Sequence, residues 1–167
     1  MYPYKNALTI IKTFEGFNEK AYPDPDTGGT PYTIGYGTTY YPDGSEVKQG
    51  HMCTERKALE YVLKEINVIA HELDKLNLGL LDSMKEALIS FIHSVGWEAF
   101  LYSELIDYLE NGEYHAVTEE INRWIFDSNH QVVGGLLDRR RQETKLFLRD
   151  LEGDAWSSEA IMLKAFR

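Results

Sequence analysis

Residues 14–37 read FEGFNEKAYPDPDTGGTPYTIGYG, and a helical pattern gives way to a strand-and-turn pattern within this segment. The residues that lead into it place apolar side chains at three- and four-residue spacings, as one face of a short amphipathic helix does: Ala7, Leu8, Ile11 and Phe14. We expect Gly16 to end this helix, because glycine tolerates the positive φ found just beyond a helix end. Glu15 is therefore predicted to lie in the last helical turn.

Beyond Gly16 the helical period disappears. Between Lys20 and Val47, turn-forming glycines and prolines separate pieces rich in Tyr and Thr. This pattern is typical of short strands joined by tight turns. We predict a small, twisted antiparallel sheet in this region.

From residue 54 onward the chain has helical patterns. Thr54 is a suitable N-cap for a long helix whose apolar face continues to Leu73. Further helical patterns cover residues 81–95, 103–110, 114–126, 136–151 and, as a last short segment, 156–166. The sequence therefore predicts an α+β protein with a small antiparallel sheet near its N-terminus and a helical C-terminal half.

Composition excludes several classes of function. With 167 residues and 43% hydrophobic side chains, the chain has the size of one compact domain or of two small lobes that share a core. Its formal net charge of −10 argues against nonspecific nucleic-acid binding, which depends on cations that neutralise phosphates. The N-terminal residues show no signal or anchor pattern, and the apolar runs are far shorter than the roughly 20 residues of a membrane helix. We expect a soluble protein.

The reactive side chains also exclude several kinds of site. The five histidines show no metal-ligand spacing, so catalysis by zinc is not expected. The single cysteine, Cys53, cannot form an internal disulfide and is expected to be a small, semi-buried side chain. No Gly-x-Ser-x-Gly turn is present, which argues against a serine nucleophile.

Two carboxylates and a hydroxyl stand close together in the opening segment. Glu15 ends a helix, Asp24 lies in a turn and Thr33 enters a glycine-punctuated strand. Glycoside hydrolysis requires such a set, because one carboxylic acid protonates the departing oxygen while another carboxylate stabilises positive charge or activates water. The negative end of the helix dipole and burial both favour a protonated Glu15, whereas a polar turn favours an ionised Asp24.

Three ordered blocks of sequence carry a resemblance to a known family. They are Phe14-Glu15-Gly16 with Ala21-Tyr22 and Thr33-Ile34-Gly35-Tyr36-Gly37; Ser94-Val95-Gly96 with Ala99-Phe100 and Ser103; and Arg123-Trp124 with Gly134-Gly135-Leu136-Leu137-Asp138-Arg139-Arg140, Glu143 and Leu146-Phe147. Over nearly its whole length the chain resembles the phage-type lysozymes of the T-even phage lysozyme group, or muramidases, many of which are endolysins.

The resemblance implies a lysozyme-like fold of two lobes within one domain, residues 1–167. The sheet lobe would cover about 16–53, a connecting helix about 54–76, and a helical lobe about 77–167 together with the N-terminal helix. It implies hydrolysis of the bond between N-acetylmuramic acid and N-acetylglucosamine in bacterial peptidoglycan, without a metal or an organic cofactor.

Matching this sequence to the family's motif assigns its candidate catalytic residues. The resemblance implies that Glu15 is the general acid, Asp24 the second carboxylate and Thr33 the hydroxyl that positions water. Thr30 stays open as an alternative to Thr33, because the usual spacing puts the threonine six residues after the aspartate. The motif before Ile34-Gly35 favours Thr33 and implies a three-residue insertion in the loop.

Supporting residues follow from the same likeness. Ser103 and Tyr36 are expected to contact substrate. Either Arg139 or Arg140 is expected to brace Glu15 across the cleft, where a cation favours the ionised carboxylate and so opposes the effect of burial.

Two positions depart from the family pattern. Thr38 stands where a histidine usually follows the glycine, and Ser94 replaces a common asparagine before Val-Gly. The contacts that those residues make in the family are therefore not expected here.

The absence of a signal pattern, taken with the resemblance, predicts a biological setting. The enzyme would be a monomer, made in the host cytoplasm, and would reach periplasmic peptidoglycan after a partner protein such as a holin permeabilises the inner membrane. Membrane contact by the chain itself is not expected. Two alternatives remain open: a noncatalytic cell-wall-binding or tail-associated module, and a chitinase-like hydrolase of related architecture.

Overall fold

A computed structural model describes residues 2–155 of the chain. The short helix predicted for residues 156–166 lies outside the described residues. The elements, in chain order, are α1 (Lys5–Glu15), β1 (Asn18–Pro23), β2 (Tyr32–Gly35), α2 (Glu55–Lys75), α3 (Asp82–Val95), α4 (Trp97–Leu101), α5 (Leu105–Glu110), α6 (Tyr114–Arg123) and α7 (Gly134–Ala155). This arrangement confirms the predicted α+β class.

The first helix ends where the sequence predicts. Glu15 is the last residue of α1, and Gly16 follows with a φ of 67°. The Gly16 backbone N–H donates to the Lys12 carbonyl at 3.1 Å, which closes the final turn. Glycine adopts this left-handed conformation without the steric cost that a Cβ would add.

The sheet is smaller than the segment predicted to form it. β1 and β2 pair antiparallel, with Tyr22 opposite Thr33 and a register irregularity between Asn18 and Tyr22. Elsewhere in residues 20–47 the chain forms turns and isolated bridges rather than further strands. The many glycines and prolines of this region account for the difference, because they favour turns over continuous pairing.

The long helix α2 lies between the sheet and the helical part of the chain. Its predicted N-cap is confirmed, since the Lys57 backbone N–H donates to the Thr54 hydroxyl at 3.3 Å. α2 contacts both β2 and α3. Its buried side chains lie at three- and four-residue intervals, as the apolar pattern predicts: Ala58, Val62, Ile66, Ala70 and Leu73.

Several helix boundaries in the C-terminal half differ from the sequence pattern: α4 was not predicted, α7 begins at Gly134 rather than Leu136 and extends to Ala155, and α5 and α6 differ for local reasons. α6 ends at Arg123 rather than continuing to Phe126, because Phe126 forms an isolated bridge with Val132 that bends the chain back. α5 begins at Leu105, whose N–H donates to the Ser103 hydroxyl at 3.3 Å. In both places a local contact outside the helix replaces the helical pattern.

Helix α3 forms the centre of the core. It packs against α1, α2, α4 and α7, and every residue from Glu86 to Ile92 is fully or almost fully buried. Cys53 is buried as well, in keeping with a packing role. Within residues 2–155, no helix combines the length and apolar character needed to cross a membrane.

A buried carboxylate of α3 anchors the start of α1. Tyr4, the N-cap residue of α1, makes no side-chain capping bond. Instead the Glu86 carboxylate accepts the backbone N–H groups of Asn6 at 2.6 Å and Ala7 at 3.0 Å, and the Asn6 side-chain amide at 2.8 Å. A negative charge at a helix N-terminus also interacts favourably with the helix dipole. Glu86 therefore fixes the position of the helix that ends at Glu15.

Replacing this anchor should destabilise the fold. We expect Glu86→Ala to lower the free energy of unfolding by about 2–3 kcal/mol, because two backbone donors lose a charged acceptor. Urea denaturation followed by circular dichroism measures this change. The exposed Glu60→Ala, which removes only an ion pair to Lys57, should leave the midpoint unchanged. A Glu86→Ala midpoint equal to that of the wild type would show that Glu86 does not anchor α1.

Candidate functional site

The Glu15 carboxylate lies at the meeting point of several elements. Arg139 of α7 places Nη1 at 2.7 Å from Glu15 Oε1. The arginine side chain is 4% exposed and the glutamate side chain 23% exposed, so the carboxylate is held from its buried side and open on the other. This is the geometry of an acid that a buried cation orients toward solvent or a ligand.

The turn after β2 closes tightly over the same carboxylate. Gly37 has a φ of +88°, and a Cβ built at this position would lie 2.8 Å from Glu15 Cδ and 3.0 Å from Oε2. Only glycine satisfies both the backbone conformation and the close approach. Arg139 therefore binds Oε1, while Oε2 lies beside the turn that contains Gly37.

His93 is a member of this site that the sequence motifs did not indicate. Its Nδ1 lies 3.7 Å from Glu15 Oε1, and its Nε2 lies 2.9 Å from Glu65 Oε2. The three residues belong to α3, α1 and α2, so no spacing in the sequence links them. Histidine spacing along a chain reveals metal ligands on one element, but it does not reveal a contact between three helices.

Thr33 and Tyr22 face each other on the two strands, near Glu15. Burial, followed by the negative charge of Glu15, raises the pKa of Tyr22, while a hydrogen bond with the Thr33 side chain acts in the opposite direction. The Tyr22 hydroxyl thus interacts with both residues. Thr33 is therefore linked to Glu15 through Tyr22, and its role at the site stays a prediction.

Asp24 and Thr30 lie in the loop between the strands. Asp24 follows the last residue of β1, and its Oδ1 accepts the backbone N–H groups of Asp26 and Thr27, both at 2.9 Å. Thr30 is exposed, and its carbonyl accepts the Thr27 hydroxyl at 3.0 Å. The turn therefore holds the Asp24 carboxylate directly after the strand, whereas Thr30 lies further out in the loop.

The two predicted arginines have different partners. Arg139 contacts Glu15, but Arg140 directs its guanidinium to Glu143 at 2.6 Å and to the Ser94 hydroxyl at 2.5 Å. Glu143 also binds Arg139 at 3.1 Å. Arg139 is therefore the arginine that binds Glu15 in the structure. Arg140 binds Glu143, the carboxylate that Arg139 also contacts.

Because Arg139, Arg140 and Glu143 are buried, the stability of this cluster depends on each charge having a partner of opposite sign. Arg140 and Glu143 are both fully buried. Desolvation raises the pKa of Glu143 and lowers the pKa of Arg140, and the attraction between them acts against both changes. Loss of either charge would leave the other uncompensated in the core.

The two predicted substrate contacts lie in different surroundings. The Tyr36 side chain is almost fully buried against Phe17, and its hydroxyl donates to Glu55 at 2.5 Å. Burial, followed by this hydrogen bond, raises the pKa of Tyr36 to about 12. The Ser103 hydroxyl donates to the Phe100 carbonyl at 2.6 Å. The structure gives Tyr36 a packing role and Ser103 a role in its own turn, so substrate contact by either residue stays a prediction.

An open cavity of about 400 Å³ adjoins the site. Gly37 and His93, both neighbours of Glu15, line one part of it, and Tyr40, Tyr41 and Tyr61 line another. Aromatic faces and polar groups together suit a carbohydrate better than a fully apolar ligand. Among residues 2–155, no three His, Cys, Asp or Glu side chains are grouped so that they could hold a metal ion.

Comparison with known proteins gives one family and several relatives. Residues 12–143 match the sequence model of the family described as phage lysozyme. The endolysin of Bacillus phage B103 is 36% identical over 142 residues, which cover 84% of this chain and 52% of that protein. The endolysin of Salmonella phage P22 is 32% identical over 144 residues, which cover 86% and 95%. The chain thus spans about half the length of its Bacillus phage relatives.

A solved structure has the same fold. The endolysin from Escherichia coli O157:H7 phage FAHEc1 superimposes with a TM-score of 0.74 at 29% sequence identity, covering 87% of this chain and 92% of that one. The small sheet and the helical region described above therefore follow a known arrangement.

The buried charge cluster can be tested by stability. We expect Glu143→Gln to lower the free energy of unfolding by about 3–5 kcal/mol, because Arg139 and Arg140 lose their shared counter-charge inside the core. Chemical denaturation measures the change. Asp138→Asn is the matched control, since Asp138 makes an exposed ion pair with Arg141 on the same helix and should alter stability little. Equal stabilities for the two variants would contradict the role given to Glu143.

Proposed function

This chain belongs to the phage lysozyme family, as its sequence motifs indicated, and we propose that it is a muramidase. In this proposal it hydrolyses the β-1,4 bond between N-acetylmuramic acid and N-acetylglucosamine in bacterial peptidoglycan. The observation that supports it best is the Glu15 carboxyl, held by Arg139 at the end of α1 beside an open cavity.

Glu15 is the proton donor in this mechanism. Arg139 binds Oε1 and leaves Oε2 beside Gly37, which lines the cavity. A sugar chain in the cavity would present its glycosidic oxygen to Oε2, which gives up its proton as the bond to the anomeric carbon breaks. The fixed carboxyl removes the need to orient the acid during the reaction.

Asp24 and Thr33 would hold the attacking water. Thr33 pairs with Tyr22, whose hydroxyl interacts with both Thr33 and Glu15, and Asp24 lies directly after the strand that carries Tyr22. The carboxylate accepts a proton from water while the threonine hydroxyl positions its oxygen for attack on the anomeric carbon. We therefore propose a single displacement that inverts the configuration at this carbon.

The proposal extends to the setting in which the enzyme acts. Two relatives are named endolysins, which supports a role in lysis of a phage-infected bacterium. We propose synthesis in the host cytoplasm and access to periplasmic peptidoglycan after a holin permeabilises the inner membrane. Because the proposed catalytic side chains all come from one chain, a monomer would suffice for activity.

The proton donor is tested by replacing its carboxyl with an amide. Wild-type protein should release muropeptides with N-acetylmuramic acid at the reducing end, as measured by mass spectrometry of digested murein. Glu15→Gln should lower kcat by about 10²–10⁴-fold, because the amide cannot donate the proton. Glu60→Gln, an exposed carboxyl on α2, should retain full activity. Equal digestion by Glu15→Gln and wild type would favour another acid, and binding without digestion by the wild type would favour a noncatalytic wall-binding module.

The proposed role of Thr33 in positioning the attacking water gives a second prediction. Thr33→Ala should lower kcat about tenfold, since it removes one hydrogen bond that orients the nucleophile, whereas Thr30→Ala should leave kcat unchanged. Proton NMR of fresh product should show the inverted anomer. Retained configuration, or a larger loss in Thr30→Ala than in Thr33→Ala, would refute this assignment of the water site.

A further inference from the structure

Lys64 of α2 is an exposed cation that lines the open cavity beside Glu15, and it takes no part in the proposed proton transfer. Two other lysines of this helix, Lys57 and Lys75, each bind a glutamate three residues away, at 2.7 Å and 2.6 Å. Lys64 forms no ion pair within residues 2–155. Its charge is therefore available to a ligand in the cavity.

The cavity lies along a second face of α2. The core-facing side chains of this helix include Val62, Ile66 and Ala70. The side chains of α2 that line the cavity also follow three- and four-residue spacings, as residues on one side of a helix do: Tyr61, Lys64, Glu65, Val68 and Ile69. One face of α2 therefore packs in the core, and the neighbouring face forms a wall of the cavity.

The segment after β2 supplies the aromatic part of the cavity lining. Tyr41 is held in place, because its ring packs edge-on against Tyr61 with 5.3 Å between centroids and its hydroxyl lies 2.9 Å from His51 Nδ1. Tyr40 is 54% exposed, so its ring remains open to a ligand. A cation close to exposed aromatic surface suits a sugar that carries an anionic group.

The cavity lining connects the neighbourhood of Glu15 to Lys64. His93 lines the cavity with its Nδ1 3.7 Å from Glu15 Oε1 and its Nε2 2.9 Å from Glu65 Oε2. Glu65 is next to Lys64 on α2, and its carboxylate contacts His93. Lys64 is the one lysine or arginine among the described residues that line this cavity. It is therefore the side chain placed to attract an anionic group of a ligand held there.

We propose that Lys64 is a specificity-determining residue that binds a carboxylate carried by the muramic acid unit of the substrate. This inference rests on the proposed function and names the substrate group that the cavity recognises. The protein has a formal net charge of −10, so an anionic glycan needs a local cation to offset long-range repulsion. A lysine is a flexible point charge, and it binds a carboxylate without a fixed geometry. A glycan built of N-acetylglucosamine alone carries no such group.

Kinetics on matched glycan strands tests the proposal. In strands that carry uncrosslinked stem peptides, the free carboxylates belong to the peptide, because the lactyl carboxyl is bound in an amide. In strands stripped by an amidase, the lactyl carboxylate is the free one. We expect Lys64→Gln to raise KM about three- to fivefold on one or both substrates, with kcat preserved, because an exposed ion pair is lost. The substrate on which KM rises identifies the source of the carboxylate.

Amidated strands and two further variants serve as controls. Once the carboxyl groups of the strands are converted to amides, Lys64→Gln and wild type should have equal KM. Lys64→Arg should keep the KM of the wild type, since it keeps the charge. Lys57→Gln removes the same charge from the same helix, outside the cavity, and should leave KM unchanged. An equal rise of KM on native and amidated strands, or no rise on any strand, would overturn the proposal.

A binding measurement separates this inference from the hydrolase proposal. Isothermal titration calorimetry with the Glu15→Gln variant, which should leave the strands intact, gives Kd for native and amidated strands. We expect the native strands to bind more tightly, and the additional change Lys64→Gln to remove that difference. Binding that depends on both the carboxylates and Lys64, in a protein that digests no murein, would refute only the proposed function. Digestion of murein together with equal Kd values for the two kinds of strand would refute only the role of Lys64.

Discussion

The ion pair between Glu15 and Arg139 is the contact on which the rest of the site depends. It joins the last residue of α1 to a buried arginine of α7, residues that stand 124 positions apart. A buried guanidinium is stable only when its charge and its N–H groups are satisfied. Glu143, the Ser90 carbonyl and Glu15 supply those partners. The same buried contacts that hold Arg139 in the core therefore orient the Glu15 carboxyl.

The surroundings of Glu15 combine opposing influences on one proton. The end of a helix disfavours a negative charge on the carboxyl, whereas the arginine favours it. A proton donor must hold its proton until the substrate arrives and then release it. The tight turn at Gly37 keeps the carboxyl where these influences act together.

Local signals along the chain predicted most of the helices. The end of α1 at Gly16 and the start of α2 at Thr54 follow from capping chemistry, which depends on a few adjacent residues. The sheet and the end of α6 were predicted less well. Bridges such as Phe126 with Val132 form between separated residues, and their stability depends on packing that no local pattern encodes.

The order of amino acids was enough to place Glu15 at a helix end, to bring Asp24 and Thr33 close along the chain, and to identify the motifs of phage lysozymes. It left open which arginine contacts Glu15, and it gave no sign that His93 lies beside the same carboxyl. Adjacent residues on a helix point about 100° apart, so both arginines fit the motif equally well. The packing of α7 against α1, helices from opposite ends of the chain, decides that Arg139 faces Glu15. Residue spacing along the sequence does not specify this packing.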